Sequence, residues 1–420
     1  MIKKKSNRLI SRNITHQKRK LQTCKLFEVK VDKSHLNQTT KEHMNRLFLE
    51  GKWFYNHILS QDNIFETDYK VNEVEVKVKD KFEIREINCL SSQMKQGILD
   101  RTKINIKGLS VSKKKRKIGK LKFKSEINSI PLNQFGKTYK ILDDKYIKIQ
   151  KIEQKLKVNG IEQIPKDSDI ANANLIHKNN NYYIQITTFQ KKEEFKPKNR
   201  SVGIDFGIKN QLTLSNGVAI KYSIPLTNRI KRIAHNLSRK ELHSKNWNKE
   251  RVKLNKEYDK LNNIKHDIKN KVVSHLKNKY RTICYQDESI KEWQRIYGKN
   301  ILYTSIGGII RDLKTKSHTP IEVDKFYPST KTCSCCLDIK KKNKLSMRIY
   351  KCKTCGYVID RDLNAAINIK CEGLRNQIGT ERIEFKPVEI KTSTLTSMKY
   401  LNSIPYVEAS LIVETGSHYF

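Results

Sequence analysis

The chain has 420 residues, 37% of them hydrophobic, which is enough for two or three packed domains. Its 86 Lys and Arg face 43 Asp and Glu, a formal net charge of +43 that excludes an ordinary enzyme of small metabolites. Self-repulsion on that scale destabilises a compact state unless a polyanion offsets it, and nucleic-acid phosphates are the fitting polyanion.

The N-terminus, MIKKKSNRLISRN, is basic but lacks the apolar core of a signal peptide, and no run approaches 18 apolar residues. A cytoplasmic protein without a membrane partner is expected, nucleoid-associated when bound to DNA. In that reducing setting the nine cysteines are not expected to form structural disulfides. Residues 24–33 alternate as a strand. Residues 35–60 carry Leu47, Phe48, Phe54, Tyr55, Ile58 and Leu59 at helical spacing. Residues 90–104 read as a second helix, capped by Ser91 or Ser92. Its Ser92, Gln93 and Gln96 are candidates for reading base edges in a major groove. Trp53, Phe54 and Tyr55 offer stacking surfaces, although helical spacing favours the core for one or two of them.

The run 111–124 carries eight cations and no acid: Lys113, Lys114, Lys115, Arg116, Lys117, Lys120, Lys122 and Lys124. Leu121 and Phe123 interrupt it at period two, so it reads as an extended segment with one packed face and one phosphate-facing face. From 138 to 190 short strands alternate with turns, and the Asn-rich stretch before YYIQITT marks a hairpin. A small β domain interrupted by a helical insert follows from this order. Residues 191–200 read as a linker. A new domain then opens with two strands around Ser215-Asn216-Gly217. A charged helical pair over 226–279 and a buried strand over 282–290 follow.

Cys333 and Cys336 form one C-x2-C pair, and Cys352 and Cys355 form another, with 15 residues between the pairs. Four thiolates so spaced suit tetrahedral Zn(II), and a closed four-thiolate site is structural rather than catalytic. Gly356 suits the tight turn after the second pair, whereas Leu337 occupies the matching place after the first. Three acids stand at the ends of predicted buried elements: Asp205, Glu288 and Asp362. Carboxylates from separate segments can together hold two Mg(II) ions about 4 Å apart, one activating water and the other stabilising a leaving oxygen.

In order along the chain, GIDFGIKNQLTLSNG, the QDE strand end, STKTCSCC, CKTCG and DRDLNAAINI resemble the signature of the transposon-encoded TnpB nucleases. The compact type V CRISPR nucleases are similar at the same places. The resemblance spans about residues 24–370 and is densest from 201 to 370. It implies a multidomain α/β protein. A RuvC-type, RNase H-like nuclease domain with an inserted four-cysteine zinc ribbon would follow a small β-barrel-like domain interrupted by a helical insert. The implied catalytic triad is Asp205, Glu288 and Asp362, holding two Mg(II). The second motif departs from the commoner Glu-Asp-Leu, so Gln286 or Asp287 would take the catalytic place in a shifted register. Ser289 and Ile290 favour Glu288, and the Asn-Ala-Ala that follows selects Asp362 over Asp360.

The implied segments are 1–34, a basic arm with the first wedge-domain strand; 35–126, the helical recognition insert; and 127–198, the rest of the wedge. The nuclease domain would occupy 199–325, the zinc ribbon 326–357 and a final nuclease segment 358–372. A disordered tail would occupy 373–420. The resemblance also implies a guide RNA and double-stranded target DNA as partners, with RNA pairing reading sequence and the protein reading a short flanking motif. A type V effector, a repressor with a decayed nuclease and a guide-free recombination nuclease are the competing readings. The tail sequence is similar to tails of TnpB proteins, which favours the transposon type.

Overall fold

The structure, a computed structural model, describes residues 13–78, 81–114, 119–191, 200–222, 224, 226–298, 301, 304–341, 347–378 and 392–412. The chain divides into two compact units, Met1–Glu193 and Glu194–Phe420. Among the described residues no helix is long and apolar enough to cross a membrane.

The first unit is built on a seven-stranded antiparallel sheet ordered β4-β8-β9-β1-β7-β6-β5. Its strands are β1 (Gln22–Val31), β4 (Ser129–Leu132), β5 (Tyr139–Asp143), β6 (Tyr146–Ile149), β7 (Leu156–Asn159), β8 (Asp169–Lys178) and β9 (Asn181–Lys191). Asn179 and Asn180, with φ of 50° and 62°, turn β8 into β9, the left-handed pair that an Asn-rich hairpin predicts. Between β1 and β4 lie helix α1 (Gln38–Ser60), strands β2 (Glu73–Val78) and β3 (Lys81–Glu86), and helix α2 (Ser92–Lys114). Asn37 caps α1 by accepting from the Thr40 N–H. Ser91, not Ser92, caps α2, accepting from the Met94 N–H at 3.3 Å. Glu50, 1% exposed, accepts from the backbone N–H groups of Cys89 and Leu90 and so ties α1 to the start of α2.

Two expectations change here. The insert between β1 and β4 is not wholly helical: β2 and β3 form a hairpin, whose alternating EVEVKV and KFEIRE carried the period-two signal. Among the described residues of the basic run, 111–114 end α2 and 119–124 form no strand, and Phe123 is exposed rather than packed. Lys115, Arg116 and Lys117, and the side chains of Lys113 and Lys114, lie outside the described residues, while Lys120, Lys122 and Lys124 are exposed. Trp53, Phe54 and Tyr55 are buried, so they serve the core. The Arg46 guanidinium covers the Trp53 ring at 4.6 Å.

The second unit holds a six-stranded sheet ordered β14-β13-β10-β11-β12-β17. Strand β10 (Ser201–Phe206) runs parallel to β13 (Thr282–Gln286), which runs parallel to β14 (Thr319–Val323). Strands β11 (Leu212–Leu214) and β12 (Val218–Tyr222) extend it as an antiparallel meander. Helices α3 (Asn228–Ser238), α4 (Lys245–Lys279), α5 (Ile290–Tyr297) and α6 (Ile306–Lys316) fall between β12 and β14. A hairpin of β15 (Ile349–Lys351) and β16 (Val358–Asp360) leads into α7 (Arg361–Ile378).

Helix α7 lies very close to β10. A Cβ at Gly203 would meet the Ala366 carbonyl oxygen at 2.1 Å, so only glycine fits there. Ala365 and Ala366, both fully buried, keep that face of the helix small.

The tail from 373 to 420 is a further correction. Its first residues continue α7, Thr392–Asn402 form α8, and Val407–Leu411 form β17, which pairs with β12 at the sheet edge. Leu401, Ile404, Val407 and Ala409 are buried, an apolar set too short and too mixed in period to read from sequence.

Candidate active site and metal centre

Parallel strands present their carboxyl ends at one edge, where ligands of open α/β sheets bind. Asp205 lies at that end of β10, and Glu288 follows the end of β13 by two residues. Asp362 stands in the first turn of α7, which the Gly203 contact holds against β10. All three line one cavity of about 460 Å³, together with Lys209, Lys325 and Arg348.

The register of the second acid follows from strand parity, since successive side chains point to opposite faces. Gln286 and Glu288 face the cavity, whereas Asp287 is exposed. Gln286 is committed to the backbone: its Nε2 donates to the carbonyls of Asp324, Lys325 and Tyr327, and its Oε1 accepts from the Ser329 hydroxyl. Asp360 is also committed. Its carboxylate caps α7, accepting from the N–H groups of Asp362 and Leu363 at 2.9 and 3.0 Å.

The electrostatics are those of crowded acids. Burial raises the Asp205 carboxyl well above its ordinary range, and the Asp362 and Glu288 carboxylates push it further, against the opposing Arg361 guanidinium. Burial and then Asp287 push Glu288 up to about 7. Asp362 is held by two guanidiniums, Arg361 at 3.0 Å and Arg348 at 3.3 Å. Gln286, Arg348 and Arg361 carry no sequence signal of their own, since their roles depend on which carbonyl or carboxylate the fold brings near.

Among the described residues, Cys333, Cys336, Cys352 and Cys355 form the only close set of metal-ligating side chains, their sulfurs within 4.8 Å of one another. The three acids share a cavity but are not gathered that closely. The Cys333–Cys355 and Cys336–Cys352 sulfur separations are 3.7 and 3.6 Å. A tetrahedron with Zn–S bonds near 2.3 Å has edges of about 3.8 Å, so the four thiols fit Zn(II). Burial pushes the Cys352 thiol up, but the backbone N–H groups of Cys355 and Thr354, together with the Cys336 and Cys355 thiols, bring it down to about 7. Cys335 stands outside the set.

Both knuckles end in the left-handed region, Gly356 at φ 71° and Leu337 at φ 66°. A side chain there costs about 1–2 kcal/mol. Leu337→Gly should therefore stabilise the metal-loaded ribbon by up to about 1 kcal/mol, part of the gain being lost to unfolded-state entropy. Competition of the two proteins for a metallochromic chelator measures this. Unchanged or weaker metal retention in the variant would contradict it.

The cysteine segment is fastened to α7. Asn364 Nδ2 donates to the Thr332 carbonyl and its Oδ1 accepts from the Ser334 N–H. Asn368 Nδ2 donates to the carbonyls of Ser329 and Thr332. Both amides are essentially fully buried. Of the first unit's expected base readers, Ser92 and Gln96 are exposed, and Gln93 donates weakly to Gln134 at 3.4 Å. Gln134 lines a shallow hollow of about 540 Å³ that holds amide and apolar side chains but no titratable group.

Two family models match this chain. One described as "Probable transposase" matches residues 184–294, and one described as "Cas12f1-like, TNB domain" matches 311–369. A Streptomyces pristinaespiralis protein named "Putative RNA-guided DNA endonuclease" is 28% identical over 184 residues, covering 41% of this chain and 45% of the relative. "Putative RNA-guided DNA endonuclease InsQ" of Escherichia coli K12 is 23% identical over 205 residues, covering 42% of this chain and 50% of the relative. The chain thus spans about half the length of these relatives. A cryo-EM structure of a Cas12f1–sgRNA–target DNA complex is a distant likeness, with 14% identity and a TM-score of 0.42 over 79% of this chain and 80% of that one. The first family match contains Asp205 and Glu288, and the second contains the four cysteines and Asp362, in the order of the motifs. These matches support the resemblance of the chain to the TnpB family.

Proposed function

We propose that this protein is an RNA-guided DNA endonuclease of the TnpB type, cutting phosphodiesters by a two-metal RuvC mechanism. The observation that carries the reading is the convergence of Asp205, Glu288 and Asp362 on one cavity of a strongly basic protein. The sheet order β14-β13-β10-β11-β12, a three-stranded meander followed by two parallel strands, supports the RNase H-like part of the reading. Closure of the first unit's sheet into a barrel is part of the proposal, supported by the Tyr139 hydroxyl of β5 reaching the Ala171 carbonyl of β8 at 2.9 Å.

Oxygen donors on crowded, partly buried carboxylates suit Mg(II). Asp205, Glu288 and Asp362 would hold it, and bound there it would supply positive charge and a more acidic water. The chain's own groups do the rest. Lys209 and Lys325 at the rim attract the phosphodiester backbone. Gln286 fixes the 324–329 turn that carries Lys325 into the cavity. Cys333, Cys336, Cys352 and Cys355 would hold one structural Zn(II). The exposed Lys120, Lys122 and Lys124 would grip RNA or heteroduplex phosphates, and the amides around Gln93 would read the flanking motif.

Purification of the full chain with sequencing of bound RNA tests the reading. A discrete RNA with a constant scaffold and a variable end is expected. Only fragmented bulk RNA would contradict guidance and favour a guide-free nuclease.

A further inference from the structure

Helix α5 is short, and none of its eight residues is buried. It still carries two large aromatic side chains, Trp293 and Tyr297, four residues apart and therefore on one face. Both residues line the cavity of Asp205, Glu288 and Asp362. Tyr297 is 41% exposed. Trp293 is half-buried and packs in part on the core of the second unit. An aromatic pair that the core does not take up, set on a cavity wall, offers flat apolar surface to a ligand.

The pair is tied to the second acid. Helix α5 starts directly after Glu288, whose carbonyl accepts from the Ile290 N–H at 2.9 Å. The Ser289 carbonyl accepts from the N–H groups of Glu292 and Trp293 at 2.9 and 3.2 Å. Ile290 packs in part on the core and lies against α6, where a Cβ at Gly307 would touch it at 3.5 Å.

The three tryptophans differ in what covers them. Trp53 is buried, with the Arg46 guanidinium over its ring. Trp247 has the Arg251 guanidinium at 5.1 Å and the His243 ring at 5.3 Å. Among the described residues no ring or cation covers Trp293 or Tyr297 in this way.

Size and chemistry point to the occupant. A cavity of about 460 Å³ falls within the range of small-ligand pockets, so it takes one nucleotide of a strand and not a stacked duplex. A nucleotide splayed out of its strand loses its stacking. An aromatic side chain restores that stacking for any base, because every base has a π-face. Lys209 and Lys325 on the same lining can meet the phosphate.

We propose that Trp293 and Tyr297 form a stacking platform that holds a splayed base of single-stranded DNA beside the phosphate to be cut. The platform's part in cutting rests on the nuclease activity proposed above, whereas its grip on a base does not. Stacking reads no base edge, so the platform positions the strand without selecting sequence at the cut.

Tryptophan emission of the full chain, in Ca(II) instead of Mg(II) so that binding is read without cutting, tests this with a short oligothymidylate as the probe. The oligothymidylate should quench the emission, and an abasic oligonucleotide of the same length should not. Trp293→Leu should abolish the quench, and Trp247→Leu should leave it. In Mg(II), Tyr297→Leu should slow cleavage of a guided target about tenfold, and Tyr297→Phe should restore the rate. Wild type should cut a target made abasic at the cut as slowly as Tyr297→Leu cuts the intact one, with no further loss when the two changes are combined. Equal quenching by the abasic strand, or a quench that survives Trp293→Leu, would overturn the proposal. So would losses from Tyr297→Leu and from the abasic target that multiply. A wild-type chain that is quenched by the oligothymidylate alone but cuts no DNA would contradict the nuclease and uphold the platform.

Discussion

Asp205→Ala should lower DNA cleavage by about three orders of magnitude or more while guided DNA binding stays within a few-fold of wild type. The expected size follows from losing a metal's transition-state charge stabilisation, several kcal/mol at about 1.4 kcal/mol per factor of ten. Asp205 is the acid on which burial, Asp362 and Glu288 all act. Such crowding is costly without a cation, and a cation is what the site would gain. Binding, in contrast, would draw on cationic side chains elsewhere on the surface. Asp205→Asn keeps the shape and should lose as much activity, separating charge from packing. Metal affinity should fall as pH drops below about 7, because Glu288, pushed up to about 7, must lose its proton to act as a ligand. Cleavage rates and DNA binding measured on the same preparation check the first claim. Equal loss of both would remove Asp205 from the metal site.

Cys352→Ser should release the metal, melt the ribbon and impair cleavage severely. Structural Zn(II) in small modules contributes about 10–16 kcal/mol of apparent binding free energy, and that energy is folding energy. Cys352 is almost fully buried, so its loss opens the centre from inside. The damage would reach the cavity through two amides. Asn364 and Asn368 hold the Ser329, Thr332 and Ser334 backbone against α7, two and six residues after Asp362. Melting the ribbon frees these amides while they are still buried, which destabilises the first turn of the helix that presents Asp362. Wild type should carry one Zn per chain by elemental analysis. A zinc-free preparation with full activity would remove the ribbon from the account.

Much of this site was legible because its chemistry is local in sequence. The four cysteines declare themselves by spacing, since two knuckles must each return the chain within a few residues. The choice between neighbouring acids was less local. Asp360 and Asp362 differ by which one caps α7 and which one faces the cavity, and that depends on where the helix begins. Asp287 and Glu288 differ by strand parity, which requires the end of β13. The β2–β3 hairpin and the β17 edge strand were missed for a different reason. Each is a short segment with at most one buried face, so its apolar signal is weaker than that of a strand buried on both faces. The basic run misled because its period-two apolar residues, Leu121 and Phe123, do not make a packed face, and Phe123 stays exposed.

The central claim is that base pairing by a bound RNA directs metal-dependent cutting at the cavity of Asp205, Glu288 and Asp362. Its most direct test is cleavage of a plasmid by the full chain loaded with its own RNA, before and after the RNA's variable end is rewritten. The account predicts that cutting requires Mg(II), stops in chelator and moves to the site matching the rewritten end. Cutting that ignores the rewritten end, or guided binding with no cutting by the wild-type chain in Mg(II), would contradict it.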